Sequence, residues 1–546
     1  MKIYLRTIRW VALGTGLLVC LWACISHPLA QPVPEPGQES HGQVTIVPMR
    51  HLDLLFMVDN SPSMKPKQDK MKAQFPKLIE ALRDRNDGTL PDLRIAILDS
   101  DVGAGYSEAC GSTVNQGDKG AFQMRDPAGC GANENARWLE YTKGKPVNFT
   151  GELSQVFGCL ASNVGVKGCG YEHQLGVFQW AFYATENASQ WDFLRPEAYL
   201  GIVILTDEDD CSAPPNTNMY NKRVLAEGGS LRCGTRGHQC DGAQFAFPTT
   251  GPLSVSYASC RARTDVSCDE DKTDTTEATS CNPLTSIADL VNSVKQLKGG
   301  GDAADEKVLV AAIYGTPRAG DTTAPVYKID LAKDPNPYAE ANAKIWDYWP
   351  ICYDPDYSPS SVGVDVAAEH GATGGLRIDA FLNGFPARNR RAYSICESDF
   401  GPAMQGVGDA LANLMGDLCV PFKLVDTSDK PGLQADCRVA YRIPHEAQDK
   451  NGKWTTTWEE KGESLPACDG SRTPDCWEVI LGNENGTDVE KSAAKRCPVK
   501  GSTPSQMVNV VRKPDNDLPV GTKAVMQCLT CVDPVPGTQP TAGCDY

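Results

Sequence analysis

Two patterns of hydrophobic and polar positions alternate along the chain between about residues 49 and 420. Short apolar runs, such as Leu52 to Val58 and Tyr199 to Leu205, are typical of strands buried on both faces. Between such runs, apolar residues recur at helical spacing, as in the helix predicted from Pro66 to Asp84. Strands that alternate with helices favour an α/β fold with a mainly parallel sheet. The same patterns predict strands at Leu93–Leu98 and Val308–Ile313, and helices at 173–186, at Leu284–Leu297 and from about Pro402.

Three long stretches interrupt this alternation. Residues 102–165, 208–282 and 315–395 show little periodicity, and the first two are rich in Gly, Asp, Thr and Cys. Loops of this length inside a compact domain usually carry function or an interaction surface. We therefore expect disulfide-rich insertions in one domain that runs from 49 to 420, with Cys352 and Cys396 as candidate staples in the third insertion.

The pattern changes again after about residue 420. Apolar and polar residues alternate around Val439, Tyr441 and Ile443, and again from Trp477 to Leu481, as expected of half-buried strands. Cysteines are frequent in the same region. Residues 421–546 are therefore predicted to form a small cysteine-rich β domain.

The first 23 residues have the pattern of an export signal. A positively charged start precedes an apolar run from Val11 to Trp22 that is too short to span a bilayer. The segment closes in the sequence Leu-Trp-Ala-Cys, which resembles the bacterial lipobox and implies lipidation of Cys24. Residues 24–48 are rich in proline, glycine, glutamine and serine, and such a composition predicts a flexible tether.

The resemblance to a lipobox also implies a destination. Ile25, and not an aspartate, follows the lipidated position. This implies an outer-membrane lipoprotein of the cell envelope, either periplasmic or exposed at the surface. The alternative is plain secretion, with cleavage after Ala30.

Cysteine count and charge narrow the class of protein. The chain has 22 cysteines, and an even number remains without the two at positions 20 and 24. In an exported protein this indicates a disulfide framework, whose pairing the sequence does not determine. Proximity in sequence favours local pairs such as Cys110 with Cys130, or Cys159 with Cys169.

The net charge of -17 argues against binding to nucleic acid or to anionic headgroups, so membrane contact is expected through the lipid anchor only.

Acidic and hydroxyl side chains follow two of the predicted strands. Asp59, Ser61 and Ser63 come after the first strand, and Asp207 comes after a later one. The carboxyl ends of parallel strands form the edge at which α/β proteins bind ligands. Carboxylate and hydroxyl oxygens suit a hard divalent cation such as Mg²⁺ or Ca²⁺.

The run Asp59-x-Ser61-x-Ser63, together with Leu205-Thr206-Asp207, resembles the von Willebrand factor type A domain. The resemblance covers residues 49–420, and the added lipobox and cysteines are similar to those of bacterial surface lipoproteins that carry such a domain. It implies a doubly wound, mainly parallel sheet. It also implies a metal-ion-dependent adhesion site formed by Asp59, Ser61, Ser63 and Asp207.

One part of the family's site differs in this chain. The family adds a threonine from a loop that precedes a helix, but the corresponding residues 168–172 include no threonine. Three alternatives remain open: Glu172 supplies an additional metal ligand, water fills the position, or metal binding is weak.

Two hydroxyls with one or two carboxylates leave a divalent ion with open coordination positions. A carboxylate from a partner protein can complete the shell, so that the metal bridges two proteins. Mg²⁺ fits this ligand set better than Ca²⁺, because it uses few protein carboxylates and retains waters. The expected function is a lipid-anchored binding protein for metal-dependent protein–protein interaction or adhesion, and not an enzyme.

Three other interpretations account for part of the same pattern. Asp-x-Ser-x-Ser is also a helix N-cap pattern. The missing threonine favours a structural component of a surface assembly with a degenerate metal site. An envelope hydrolase with the type A domain as a targeting module would need catalytic residues in the C-terminal region, which offers only His445 and scattered carboxylates.

Overall fold

The structure is a computed structural model of the chain. It describes residues 40–46, 51–84, 90–103, 117–214 (except 169 and 197), 229–244, 254–264, 283–321, 327–333, 344–355, 357, 370–415, 419–428, 433–448, 454–469, 475–487, 490–491, 493–494, 497, 499, 503–511, 522–531 and 544. The expected export signal and the lipidation site at Cys24 lie outside these residues.

Seven strands form the central sheet. In chain order they are β2 (His51–Val58), β3 (Asp92–Asp99), β4 (Leu139–Thr142), β5 (Lys145–Pro146), β6 (Tyr199–Leu205), β11 (Val308–Tyr314) and β16 (Arg390–Ser394). Their order in the sheet is β16-β11-β6-β2-β3-β4-β5. The strands from β16 to β3 are parallel, whereas β4 and β5 are antiparallel additions at one edge. The expected mixed α/β architecture with a mostly parallel sheet is confirmed.

Helices cover both faces of this sheet. Side chains of β2 alternate between the two faces, so that Phe56 enters one hydrophobic core and Met57 enters the other. The first core packs against α1 (Lys65–Asp84), α2 (Leu153–Asn163) and α8 (Gly401–Leu414). The second packs against α3 (Val177–Tyr183), α5 (Ile287–Gln296) and α7 (Leu376–Asn383). The remaining helices are α4 (Gly229–Gly237) and α6 (Gly301–Lys307).

The strand order creates a switch point in the middle of the sheet. Setting aside the two-residue β5, the strands follow the order 3-2-1-4-5-6 when they are counted along the chain. The connections leave β2 and β6 toward opposite faces, because α1 belongs to the first core and α5 to the second. Open α/β sheets bind ligands in the crevice that forms at such a point.

The three predicted insertions contain more regular structure than the sequence indicates. The first includes β4 and α2, and the third includes α7 and β16, all of which belong to the central sheet or its cores. The described part of the second insertion contains four short strands, and a disulfide joins two of them, β7 and β10. These strands are β7 (His238–Cys240), β8 (Ala243–Gln244), β9 (Ser254–Tyr257) and β10 (Cys260–Ala262). The third insertion adds β12 (Tyr327–Lys333), β13 (Lys344–Tyr348), β14 (Cys352–Tyr353) and β15 (Gly371–Ala372).

Eight disulfides lie among the described residues. The expected staple between Cys352 and Cys396 is confirmed. The pairings favoured by proximity for Cys130 and Cys159 are wrong, because these two cysteines bond to each other across the first insertion. The other pairs are Cys211–Cys233, Cys240–Cys260, Cys419–Cys497, Cys437–Cys528, Cys468–Cys476 and Cys531–Cys544.

The residues after 419 contain β17 (Cys437–Gln448), β18 (Trp454–Leu465), β19 (Cys476–Leu481), β20 (Gln506–Val511) and β21 (Lys523–Thr530). They form a hydrophobic cluster of their own around Val439, Met507 and Met526. One strand of their sheet comes from the other end of the chain: β1 (Ser40–Ile46) pairs antiparallel with β21. The predicted tether of residues 24–48 therefore includes a strand, for which the β-branched run Val44-Thr45-Ile46 is well suited.

Every helix in the described part of the chain is too short or too polar to cross a bilayer.

A buried ion cluster holds the amino end of β2. The carboxylate of Asp53, which is fully buried, accepts hydrogen bonds from Arg195 Nε at 2.8 Å and from Lys298 Nζ at 3.0 Å. The Arg195 backbone amide donates to the same carboxylate at 2.9 Å. One carboxylate thus balances two cations at the edge of the sheet opposite to the switch point.

We expect Asp53→Asn to lower the free energy of unfolding by about 3–5 kcal/mol, because it leaves two largely buried cations without a counter-charge. Denaturant unfolding followed by circular dichroism measures this change. The matched control is Asp192→Asn, whose side chain is 70% exposed in its pair with Arg137. Equal stability of the two variants would contradict the prediction.

Candidate functional site

The candidate site lies at the carboxyl ends of β2 and β6, at the switch point of the sheet. Asp59 directly follows β2, and Thr206 and Asp207 directly follow β6. The Asp59 amide donates a hydrogen bond to the Leu205 carbonyl at 2.9 Å, so the backbone pairing of β2 with β6 continues one residue beyond the end of β2. This pairing holds the two predicted aspartates at adjacent positions.

Both carboxylate oxygens of Asp59 are held in place. Oδ1 accepts a hydrogen bond from the Ser61 amide at 2.8 Å, and Oδ2 accepts one from the Thr206 hydroxyl at 2.5 Å. Gln174 Nε2 in turn donates to the Thr206 hydroxyl at 3.0 Å. Because Asp59, Thr206 and Gln174 are all fully buried, the orientation of this carboxylate is fixed by the fold.

The hydroxyls of Ser61 and Ser63 face each other beside this carboxylate, with their Oγ atoms 3.2 Å apart. Ser61 stands at the N-cap position of a short 3₁₀ turn, Pro62–Met64, but its side chain makes no capping hydrogen bond. Helix capping therefore does not explain this serine hydroxyl.

The two carboxylate oxygens of Asp207 differ in their contacts. Its Oδ2 accepts a hydrogen bond from Lys67 Nζ at 2.7 Å, and both side chains are 2% exposed. Its Oδ1 is buried and has no hydrogen-bond partner among the residues that the structure describes. A buried carboxylate oxygen without a donor is unfavourable unless a cation or water reaches it.

Glu172 brings a third buried carboxyl group to the same region. Its side chain is 1% exposed, and neither oxygen has a hydrogen-bond partner within the described residues. The backbone is held nearby, since the Cys211 amide donates to the Glu172 carbonyl at 2.8 Å. The side chain lies close enough to Asp59 for the two charges to repel each other.

The loop that carries Glu172 depends on a glycine. The Gly168 amide donates to the Asn60 carbonyl at 2.9 Å. A Cβ at position 168 would lie 1.8 Å from Asn60 Oδ1, so a larger residue there would displace the Asn60 side chain, whose Nδ2 donates to Asp99 at 3.1 Å. The close approach of this loop to the residues after β2 therefore favours glycine at that position.

Charge is poorly compensated in this cluster. Burial, and then the charge of Asp207, raise the pKa of Asp59 from 3.8 to about 7. Burial and the charge of Asp59 raise the pKa of Glu172 well above its ordinary value. A bound cation would offset the neighbouring carboxylate charges, which after burial are the next cause of both shifts.

The acidic run after Asp207 fixes the loop and is not a solvated face. Asp209 accepts hydrogen bonds from the backbone amides of Arg377 and Ile378 at the start of α7. It also lies 2.6 Å from His238 Nε2, whose Nδ1 lies 3.0 Å from the Tyr348 hydroxyl. This buried chain of contacts ties the second insertion to the site.

Asp210 completes this support. Its carboxylate lies 3.0 Å from the Arg377 guanidinium and accepts a hydrogen bond from the Leu175 amide at 2.9 Å. Burial raises the pKa of Asp210, while Arg377 opposes the rise. Asp209 and Asp210 thus hold the loop that carries Asp207 against the start of α7 and the turn before α3.

The donor set fits a hard divalent cation. It consists of oxygen atoms only, and the buried Asp207 Oδ1 and Glu172 oxygens lack partners among the described residues. In the described ranges, no three His, Cys, Asp or Glu side chains come together closely enough to hold a metal ion. An ion at this site would therefore also need the hydroxyls of Ser61 and Ser63.

The structure brings together Asp59, Ser61, Ser63 and Asp207 as the sequence predicted, with Glu172 beside them. Sequence reasoning missed Lys67, Gln174 and the hydrogen-bonding role of Thr206. A signal for Lys67 was present, because it lies three residues after Met64 and four before Met71, both of which are buried. A lysine at this spacing faces inward on α1.

Comparisons with known proteins return distant structural similarities only. No family model matches the chain, and no curated protein does. Solved structures that match include the pilus adhesin SpaC of Lactobacillus rhamnosus GG in its open conformation, at 9% identity and a TM-score of 0.26. A von Willebrand factor type A protein from Catenulispora acidiphila matches at 10% identity and 0.23, and the pilus adhesin RrgA of Streptococcus pneumoniae at 10% and 0.19.

The alignment with SpaC covers 89% of this chain and 40% of SpaC. The alignment with the Catenulispora protein covers 91% of this chain and 62% of that protein, and the alignment with RrgA covers 89% and 57%. The chain thus spans less than two thirds of the length of each. At TM-scores this low, the similarities carry no argument about fold or function.

We expect the metal-free protein to lose stability as the pH rises through about 7. The unfolded chain releases the Asp59 proton near its ordinary pKa of 3.8, whereas the folded chain keeps it until about 7. The contribution is therefore fully present below the unfolded pKa and is lost as the pH rises through the folded one. Thermal unfolding in EDTA, from about pH 5 to about pH 8, measures the slope.

Asp59→Asn should reduce this dependence, since the amide does not ionise, and the part that remains comes from other buried carboxyl groups with raised pKa values, such as Glu172. Asp192→Asn, on an exposed residue, should leave it unchanged. A pH dependence that is the same in Asp59→Asn as in the natural protein would refute the assignment to Asp59.

Proposed function

We propose that the chain is a cell-envelope binding protein with a von Willebrand factor type A-like domain, which engages a protein partner through a divalent cation. The observation that carries this proposal is the meeting of Asp59 and Asp207 at the switch point between β2 and β6. The strand order and the helices on both faces support the type A-like, doubly wound fold.

Four residues would hold the cation, with a fifth beside them. Asp59, Ser61, Ser63 and Asp207 would supply the oxygens, and the buried carboxyl group of Glu172 lies beside them. Mg²⁺ is favoured over Ca²⁺, because hydroxyls and few carboxylates suit an ion that retains waters. The bound ion would supply a positive charge and open positions to which a carboxylate of the partner binds.

The chain's own residues orient this site. The Thr206 hydroxyl and the Ser61 amide fix both oxygens of Asp59, and Gln174 fixes Thr206. Asp209 and Asp210 hold the loop that carries Asp207 through their contacts with Arg377. Such preorganisation lowers the entropic cost of binding a partner.

We propose that the protein acts outside the cytoplasm, as an outer-membrane lipoprotein anchored through Cys24. The disulfides that staple the three insertions support an oxidising compartment. The tether before β1 would place the body of the protein away from the membrane.

We propose binding and not catalysis as its role. Asp209 and His238 together resemble an acid–base pair, but both ring nitrogens of His238 are engaged, one with Asp209 and the other with the Tyr348 hydroxyl. All three side chains are buried, away from any substrate in solution. Their contacts position the second insertion, so they are assigned a structural role.

A second candidate is a structural component of a surface assembly whose metal site is degenerate. The specific observation in its favour is the Lys67–Asp207 ion pair, which already places a cation at the site. In this case Asp59 would serve stability alone.

Calorimetric titration with Mg²⁺, Mn²⁺ and Ca²⁺ distinguishes the two candidates. The protein is the chain from Ile25 onward, which lacks the predicted signal and lipidation site but keeps β1 intact. We expect saturable Mg²⁺ binding that Asp59→Ala weakens at least about tenfold, equal to about 1.4 kcal/mol. Asp192→Ala, on an exposed aspartate, is the control and should bind like the natural chain.

Each result decides between the candidates. Metal binding that depends on Asp59 supports the adhesion site. The absence of binding in the natural chain, with a lower thermal midpoint in Asp59→Ala, would support the degenerate structural site instead.

A further inference from the structure

Lys67 is a lysine in an unusual place, inside the oxygen-lined end of the sheet. Its side chain is 2% exposed, and Nζ lies 2.7 Å from Asp207 Oδ2 and 3.2 Å from the Ser63 carbonyl. Lysine is almost never fully buried unless its charge is paired. The ammonium therefore contacts two of the residues that are proposed to surround the metal.

Lys67 contacts only one of the two oxygens of the Asp207 carboxylate. Lys67 occupies Oδ2 of Asp207, while Oδ1 is buried and lacks a partner among the described residues. An ion held by Oδ1 would lie within a few ångström of the ammonium, across a single carboxylate group. Charges at such distances repel strongly, even at the effective dielectric constant of partly buried sites.

Glu172 bears on the charge balance of the site, because it brings an additional buried carboxyl group. Lys67 adds one positive charge to the site, and Glu172 adds one potential negative charge from the loop that lacks threonine. An ionised Glu172 would offset the charge of Lys67 when a divalent ion binds.

We propose that Lys67 sets the cation affinity of this site: its fixed positive charge weakens the binding of a divalent ion and holds Asp207 in position when no ion is bound. This inference rests on the proposed function, because it concerns the same site. It assigns Lys67 an affinity-setting role that is separate from the ligands themselves.

The test is a Mg²⁺ titration of four proteins by calorimetry: the natural chain from Ile25 onward, Lys67→Met, Lys67→Gln and Lys65→Met. Lys67→Met removes the charge and keeps the apolar stem, and we expect it to tighten the Kd for Mg²⁺ at least roughly tenfold. Lys67→Gln also removes the charge but keeps a donor for Asp207, which protects the fold if methionine is not tolerated. Lys65→Met is the matched control, since Lys65 is on the same helix but exposed.

Thermal unfolding provides the second readout. In EDTA, Lys67→Met should have a lower midpoint than the natural chain, because Asp207 is left buried without its counter-charge. Added Mg²⁺ should restore that midpoint in Lys67→Met. Lys65→Met should behave like the natural chain with and without the ion.

The outcomes separate this inference from the proposed function. If the natural chain binds Mg²⁺ and the Lys67 variants bind it equally or more weakly, Lys67 is only a structural ion pair and the inference fails alone. If none of the proteins binds Mg²⁺, both proposals fail. Binding by the Lys67 variants but not by the natural chain would support the inference and show that the lysine silences the site.

Discussion

The pairing of β2 with β6 is the constraint on which the rest of the molecule depends. Val58 lies opposite Leu205 in a parallel register, and the hydrogen bond from Asp59 to Leu205 extends this pairing past the strands. The chain then leaves the two strands toward opposite faces of the sheet, where it builds separate hydrophobic cores. The same departure opens the crevice in which the site residues meet.

How much the sequence could predict follows from how each strand is buried. The central strands β2, β6 and β11 are covered on both faces, so they appear in the sequence as apolar runs and their bounds were predicted within one or two residues. The outer strands β4 and β16 carry polar and charged residues and are only partly buried. They have no such run, and only the tertiary structure reveals that they extend the sheet.

The site was predictable for the same reason, but only in part. Asp59 and Asp207 stand at the ends of two strands with clear apolar runs, so their meeting could be inferred from parallel pairing. Lys67 carries a charge on a helix, which usually means exposure to solvent, and its partner lies far away in sequence. The sequence shows that Lys67 has the spacing of an inward-facing residue. It does not show that Asp207 lies beside Lys67 and makes its burial tolerable.

The antiparallel pair β1–β21 has a consequence for the order of folding. Ser40 lies opposite Thr530, so the first strand that the structure describes completes a sheet whose other strands are made last. A chain that emerges from its amino end must carry β1 unpaired through the synthesis of nearly all the rest. The sheet after residue 419 can therefore close only once Thr530 has been made, and a chain that stops before β21 would leave β1 without this partner.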